Sequence, residues 1–179
     1  MPNKLDPRWN SKGSLLRSIT ELVRQYQFEI HRLGPGDVFE INRASSKSIL
    51  IALKETGSDR TSKPEGRAHW IGVPGSFLDR MWHGIEEKTL GGLMFFLIDH
   101  WDQHLIVIPG GPALGTILDR QKKGPNLHFS FDVKKTTSGY ALVTARGEPE
   151  IVLSDIDSLE PLTDLLFKIE SARAGPGRS

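Results

Sequence analysis

Four charged residues stand where two short strands would carry them to one place. Asp37 and Glu40 lie in the run Gly36-Asp37-Val38-Phe39-Glu40-Ile41, and Lys54 and Glu55 close the run from Ser48. Carboxylates that converge on a hard divalent cation, with a lysine beside them, are what metal-assisted phosphodiester hydrolysis needs. The acids hold the ion, and the ammonium stabilises charge as it develops. On this reading Asp37 and Glu40 are the metal ligands, Lys54 is the catalytic cation and Glu55 adds a carboxylate. Strand side chains alternate, so the residue that points the same way as Lys54, two positions earlier, is Ala52. Ala52 offers no donor atom. Glu55 points the other way unless the strand ends or bulges, and Glu21 is a further acid if the first helix crosses the site.

A polar segment follows directly. Arg60, Lys63 and Arg67 sit among Thr56, Ser58, Thr61 and Ser62, and His69 and Trp70 come next. Cations, hydroxyls and free amides suit phosphate oxygens, which take most protein–DNA hydrogen bonds. Arg60, Lys63, Arg67 and His69 are therefore the candidate nucleic-acid-binding residues. Asp59 and Glu65 dilute the charge of this loop. Lys122-Lys123 and Lys134-Lys135 could extend a basic face.

Three other groupings carry less. Asp99-His100-Trp101-Asp102-Gln103-His104 has two imidazoles and two carboxylates, but it lies between two apolar runs where a polar turn is required. Side chains fan outward from a tight turn and do not converge on four-coordinate geometry. The run from Gly110 to Gly115 lacks the spacing of a phosphate-binding loop. Ser45, Ser46 and Lys47 show no base or oxyanion partner for nucleophilic chemistry.

The elements that must position these residues follow from periodicity. Leu15, Ile19, Leu22, Val23 and Tyr26 recur at helical spacing behind Ser14 as a cap. Phe28 and Ile30 alternate with polar residues as a short strand, and Gly34-Pro35-Gly36 turns the chain. Val38–Ile41 and Ser48–Lys54 form a hairpin whose second strand, apolar on both faces, belongs in the middle of a sheet. His69–Val73, Leu93–Ile98 and Leu105–Ile108 are further strands. Ser76 with Asp79 caps a short helix through Trp82. Gly111 and Pro112 open another helix. Leu127–Val133 pairs with Tyr140–Thr144. Asp157 with Glu160 caps a last helix that buries Leu159, Leu162, Leu165, Leu166 and Ile169. The order predicts an α/β or α+β domain: a single mixed β-sheet flanked by helices. Residues 1–13 read as a flexible arm, 14–171 as one domain and 172–179 as a disordered tail.

Over residues 14–120 the order of helix, strand with Asp37, and strand with Lys54 resembles the PD-(D/E)XK superfamily of restriction-endonuclease-like proteins. The resemblance implies a restriction-endonuclease-like core, DNA as the partner, and Mg2+ as the cofactor of an active member. Ala52 departs from it, because the family places Glu or Asp there. The expected function is thus a DNA-interacting domain, either a metal-dependent or a degenerate nuclease. The alternative is a non-catalytic DNA-recognition or protein-interaction module of a defence system, with a protein partner or a homodimer possible. A scaffold or immunity-type protein without a nucleic-acid role is a third class.

Composition sets the bounds. A chain of 179 residues can bury one core without staples. A net charge of +1 gives no overall steering toward nucleic acid, so any basic patch must be local. The absence of cysteine excludes disulfides, thiolate–zinc sites and thiol catalysis. No apolar run approaches the ~20 residues of a membrane span, and the N-terminus lacks an apolar leader. A cytoplasmic protein without membrane contact is expected.

Overall fold

The computed structural model describes residues 5–56, 68–110, 129–143, 151–154 and 156–174. The chain runs α1 (Lys12–Gln25), β1 (Glu29–Arg32), β2 (Val38–Asn42), β3 (Ser48–Thr56), β4 (Ala68–Val73), α2 (Gly75–Glu86), β5 (Leu90–Asp99), β6 (His104–Pro109), β7 (Phe129–Thr136), β8 (Gly139–Val143), β9 (Ile151–Leu153) and α3 (Glu160–Ala174). The mixed α/β class expected from the sequence is what the structure has.

The strands divide between two sheets, not the single one expected. The first has the order β1-β2-β3-β5-β6 and the second β4-β7-β8-β9. Among the described residues only β3 and β5 run parallel, and the other pairings in both sheets are antiparallel. The strands β3 and β5 are the apolar runs noted in the sequence, and they are buried on both faces. One face packs on α1 and α3 through Phe39, Ile41, Ile51, Phe96, Ile19 and Leu166. The other packs on α2 and the second sheet through Val38, Leu50, Phe95, Phe77, Val133 and Tyr140. The result is three layers with a sheet in the middle, which demands apolar side chains in both directions along its central strands. No described helix is long and apolar enough to cross a membrane.

Two differences from the sequence reading concern the N-terminus. Residues 5–13 are not a loose arm, because Leu5 and Trp9 are buried in the core beside α1. The cap of α1 is Ser11 and not Ser14. The Ser11 hydroxyl accepts from Ser14 N (3.2 Å), while Ser14 Oγ accepts from Ser11 N (3.1 Å). The two serines form a capping box in which serine replaces the usual glutamate. Ser11→Ala is expected to lower stability by about 1 kcal/mol, read as a shift in the urea midpoint at constant slope.

The helix ends also differ. Both α1 and α2 stop in left-handed residues that are not glycine, Gln27 (φ 60°) and Lys88 (φ 58°). Phe28 N then bonds Val23 O, and Thr89 N bonds Gly84 O, which satisfies the last carbonyls in the Schellman manner. No Ser76–Asp79 box opens α2: Pro74 occupies the cap position without a side-chain bond, and the helix runs on to Glu86. At α3, the Ser158 hydroxyl accepts from Glu160 N, and Asp157 is used elsewhere. The helix continues to Ala174, beyond the domain end placed at 171. The helix expected from Gly111 lies outside the described residues.

Candidate functional site

Asp37 precedes β2, and its carbonyl accepts from Leu53 N of β3 (2.8 Å). This fixes Asp37 at the end of the sheet where β3 and β5 finish. Ligands of open α/β sheets gather outside the carboxyl ends of parallel strands. The sharp approach is made by Gly34 (φ 102°) and Gly36 (φ 91°), conformations that suit glycine. Lys12 Nζ donates to Asp37 Oδ2 (2.6 Å), and Arg32 lies 3.6 Å from Oδ1. Arg32 also donates to Gly36 O (2.9 Å), which ties β1 to the turn.

Lys54 reaches the same region. Burial lowers the pKa of its ammonium; the Asp37 carboxylate opposes that shift and the Lys12 charge adds to it. Lys54 makes no ion pair or hydrogen bond among the described residues. One carboxylate is therefore shared by three cations, two contacting it directly and a third close enough to feel its charge. The charge of Asp37 is felt at Lys54, but no ion pair or hydrogen bond joins the two among the described residues.

The other acids are elsewhere. Glu40 is three residues from Asp37, an odd spacing that sends it to the opposite face of the sheet. There Arg80 of α2 donates to Glu40 Oε1 through Nη2 (2.5 Å) and Nε (3.1 Å). Burial pushes Glu40 up, but the Arg80 hydrogen bonds, the Ser48 hydroxyl and the charges of Arg80 and His31 outweigh it and hold the carboxyl below its usual range. Glu55 faces away from Lys54 and meets His100 Nε2 (2.5 Å). Glu21 is exposed on the side of α1 away from Leu15, Ile19 and Val23. Ala52 is fully buried among core side chains, so the position two before Lys54 is sealed from solvent.

Asp37 and Glu40 thus do not share a metal, since they stand on opposite faces. The donors around Asp37 do not fit Mg2+ either: a single carboxylate is already engaged by Lys12 and crowded by like-charged neighbours of the ion. Among the described residues, no group of three or more His, Asp or Glu side chains could hold a metal. Arg60, Lys63 and Arg67 lie outside the described residues. His69 is placed by its backbone pairing with Val133 in the second sheet, and its side chain is outside the description.

The turn between β5 and β6 holds what the sequence reading left out. Asp99 is 0% exposed. Its carboxylate accepts from Tyr140 Oη (2.9 Å) of the second sheet and from Trp101 N (2.9 Å). Lys135 pairs with Asp102, and His104 Nδ1 lies 2.6 Å from Asp157 Oδ2. Each imidazole is thus engaged by a separate carboxylate, in line with the turn reading. Tyr140 and Asp157 are distant in sequence from this turn, and no local pattern marks them as its partners. No protein-family model matches the chain, and no curated protein matches it.

Proposed function

We infer that the domain binds the phosphate backbone of DNA without cutting it, as a non-catalytic relative of the restriction-endonuclease-like proteins. The observation that carries this reading is the cluster of Lys12, Arg32 and Lys54 around the lone Asp37. Its local excess of positive charge lies near the end of β3, which Arg60, Lys63 and Arg67 follow in the sequence. Cations held at fixed spacing take phosphate oxygens and release counterions, which makes affinity depend on salt and not on sequence. Among the described residues, the sealed position at Ala52 and the diversion of Glu40 and Glu55 to Arg80 and His100 leave Asp37 without a second acid. That favours binding over hydrolysis.

The test is fluorescence anisotropy of a labelled 20-base-pair duplex across a salt series. Each phosphate contact adds about 0.9 to the slope of log K against log salt. The Lys12→Ala, Arg32→Ala, Lys54→Ala triple variant is expected to lower that slope by about 3. Affinity should not change with EDTA, and supercoiled plasmid with Mg2+ should stay intact. Absence of salt-sensitive binding would remove the reading in favour of a protein-interaction module. Plasmid nicking lost in Lys54→Ala would replace it with the nuclease.

Lys54 offers a second check. A half-buried ammonium without a direct partner opposes folding, so Lys54→Met is expected to raise the thermal midpoint while it weakens DNA binding. The native ammonium gives up its proton at lower pH than the unfolded one. The unfolded state then binds more protons, and wild-type stability rises with pH toward ~10.4. The advantage of Lys54→Met should therefore shrink as pH rises through that window. An advantage independent of pH would mean that the gain comes from packing alone.

A further inference from the structure

At the opposite end of the first sheet, the β2–β3 turn, the start of β5 and one face of α3 enclose a cleft of about 410 Å3. That lies within the ~300–1,000 Å3 of small-molecule sites. Its floor is aliphatic, made by Leu165 and Ile169 of α3 over Gly91. A Cβ at Gly91 would stand 2.6 Å from Ile169 Cδ1 and 3.0 Å from Lys47 Cβ, so the glycine lets Ile169 and Lys47 pack directly onto the start of β5. The rim is cationic: Lys47 from the turn, and Lys168 and Arg173 from α3. Among the described residues none of the three makes an ion pair or a side-chain hydrogen bond. The acid beside them, Glu170, is engaged by Arg43 (3.5 Å). Three cations on two elements, facing one concavity and with no ion pair among the described residues, form a local positive potential over an apolar floor.

We propose that this cleft binds a small amphiphilic anion, with an aliphatic tail on Leu165 and Ile169 and a phosphate or carboxylate head held by Lys47, Lys168 and Arg173. The apolar floor selects the tail. It presents branched aliphatic carbon and no aromatic ring, so it suits an acyl or alkyl chain and gives a nucleobase nothing to stack on. The rim selects the head, because exposed ammonium and guanidinium groups take an oxyanion by charge-assisted hydrogen bonds. A tail without a head leaves the rim unneutralised, and a head without a tail leaves the floor wet. Both parts are needed together. The site is separate from the Asp37–Lys54 cluster, which lies at the other end of β3.

Calorimetric titration with octyl phosphate and with decanoate tests both head groups. Inorganic phosphate and octanol serve as the head and the tail alone. Binding of either amphiphile, with each half alone at least ~10-fold weaker, is the expected result. The Lys168→Ala, Arg173→Ala double variant changes only exposed side chains, and its thermal midpoint should stay at the wild-type value. It is expected to weaken the amphiphile ~10-fold or more while leaving the affinity for duplex DNA as it was. The proposal is overturned if neither amphiphile binds, if inorganic phosphate binds as well as octyl phosphate, or if the double variant binds the amphiphile as wild type does. A double variant that loses duplex DNA and keeps octyl phosphate would assign these cations to nucleic acid instead.

Discussion

Replacing Arg80 with alanine is expected to cost about 3–5 kcal/mol of folding stability. Arg80 is the partner of Glu40, and the Glu40 side chain is only 12% exposed between β2 and α2. Truncation leaves a carboxylate in that place with the Ser48 hydroxyl and the cross-strand neighbour His31, and the desolvation cost of the charge falls on the native state. The pair itself stabilises less than this figure suggests. Arg80 Nη1 is buried and finds no hydrogen-bond partner among the described residues. Replacing both partners with apolar residues of similar volume, Arg80→Met with Glu40→Leu, should therefore come out near neutral. Urea unfolding of the single and double variants measures both. A loss under 1 kcal/mol for Arg80→Ala would show that water reaches Glu40.

The same pair sets a pH dependence. The folded pKa of Glu40 is depressed, so its contribution is present above the unfolded value of ~4.3 and is lost as pH falls through the folded one. Without Arg80, burial is the dominant influence on Glu40 and raises it. The variant then accepts its proton earlier, and the gap to wild type should narrow from near-neutral pH toward acid. A constant gap across that range would place the loss in packing of the Arg80 stem and not in charge.

Tyr140→Phe is the second large effect, at about 2–3 kcal/mol. The Tyr140 hydroxyl makes a bond from the second sheet to the end of β5, and its acceptor, Asp99, is fully buried. Phenylalanine keeps the ring beside His104 and removes one donor to that carboxylate. The backbone amide of Trp101 remains as a donor. Burial, then the negative charges of Asp99 and Asp102, push the Tyr140 phenol far above its usual range. The folded pKa is raised, so this contribution is complete below the unfolded value of ~10 and is lost as pH rises beyond it, since only the unfolded chain ionises. Wild type should lose about 1.4 kcal/mol per pH unit relative to Tyr140→Phe above pH ~10.5. Parallel stability curves for the two proteins in that range would mean that the phenol ionises in the folded state.

Much of this was legible in the chain, and what was not has a common cause. Apolar periodicity marks the buried face of α1, and β3 and β5 read as central strands because both of their faces must be apolar. The turn from Asp99 to His104 follows from a polar run between two such strands. Helix ends were displaced because Gln27 and Lys88 take left-handed conformations that usually announce themselves as glycine. Leu5 and Trp9 looked like a loose arm because two apolar residues in a polar stretch have no period to show.

By itself, then, the sequence determined the mixed α/β class, the central strands and the missing donor at Ala52. These rest on local alternation and on pairing between neighbours in the chain. The tertiary structure alone decided that the strands form two sheets, that Glu40 belongs to Arg80 and Asp99 to Tyr140, and that Lys47 shares a cleft with Lys168 and Arg173. Those partners lie tens of residues apart or more. Charges find each other over such distances only after the core has fixed which faces meet, and no local spacing encodes that.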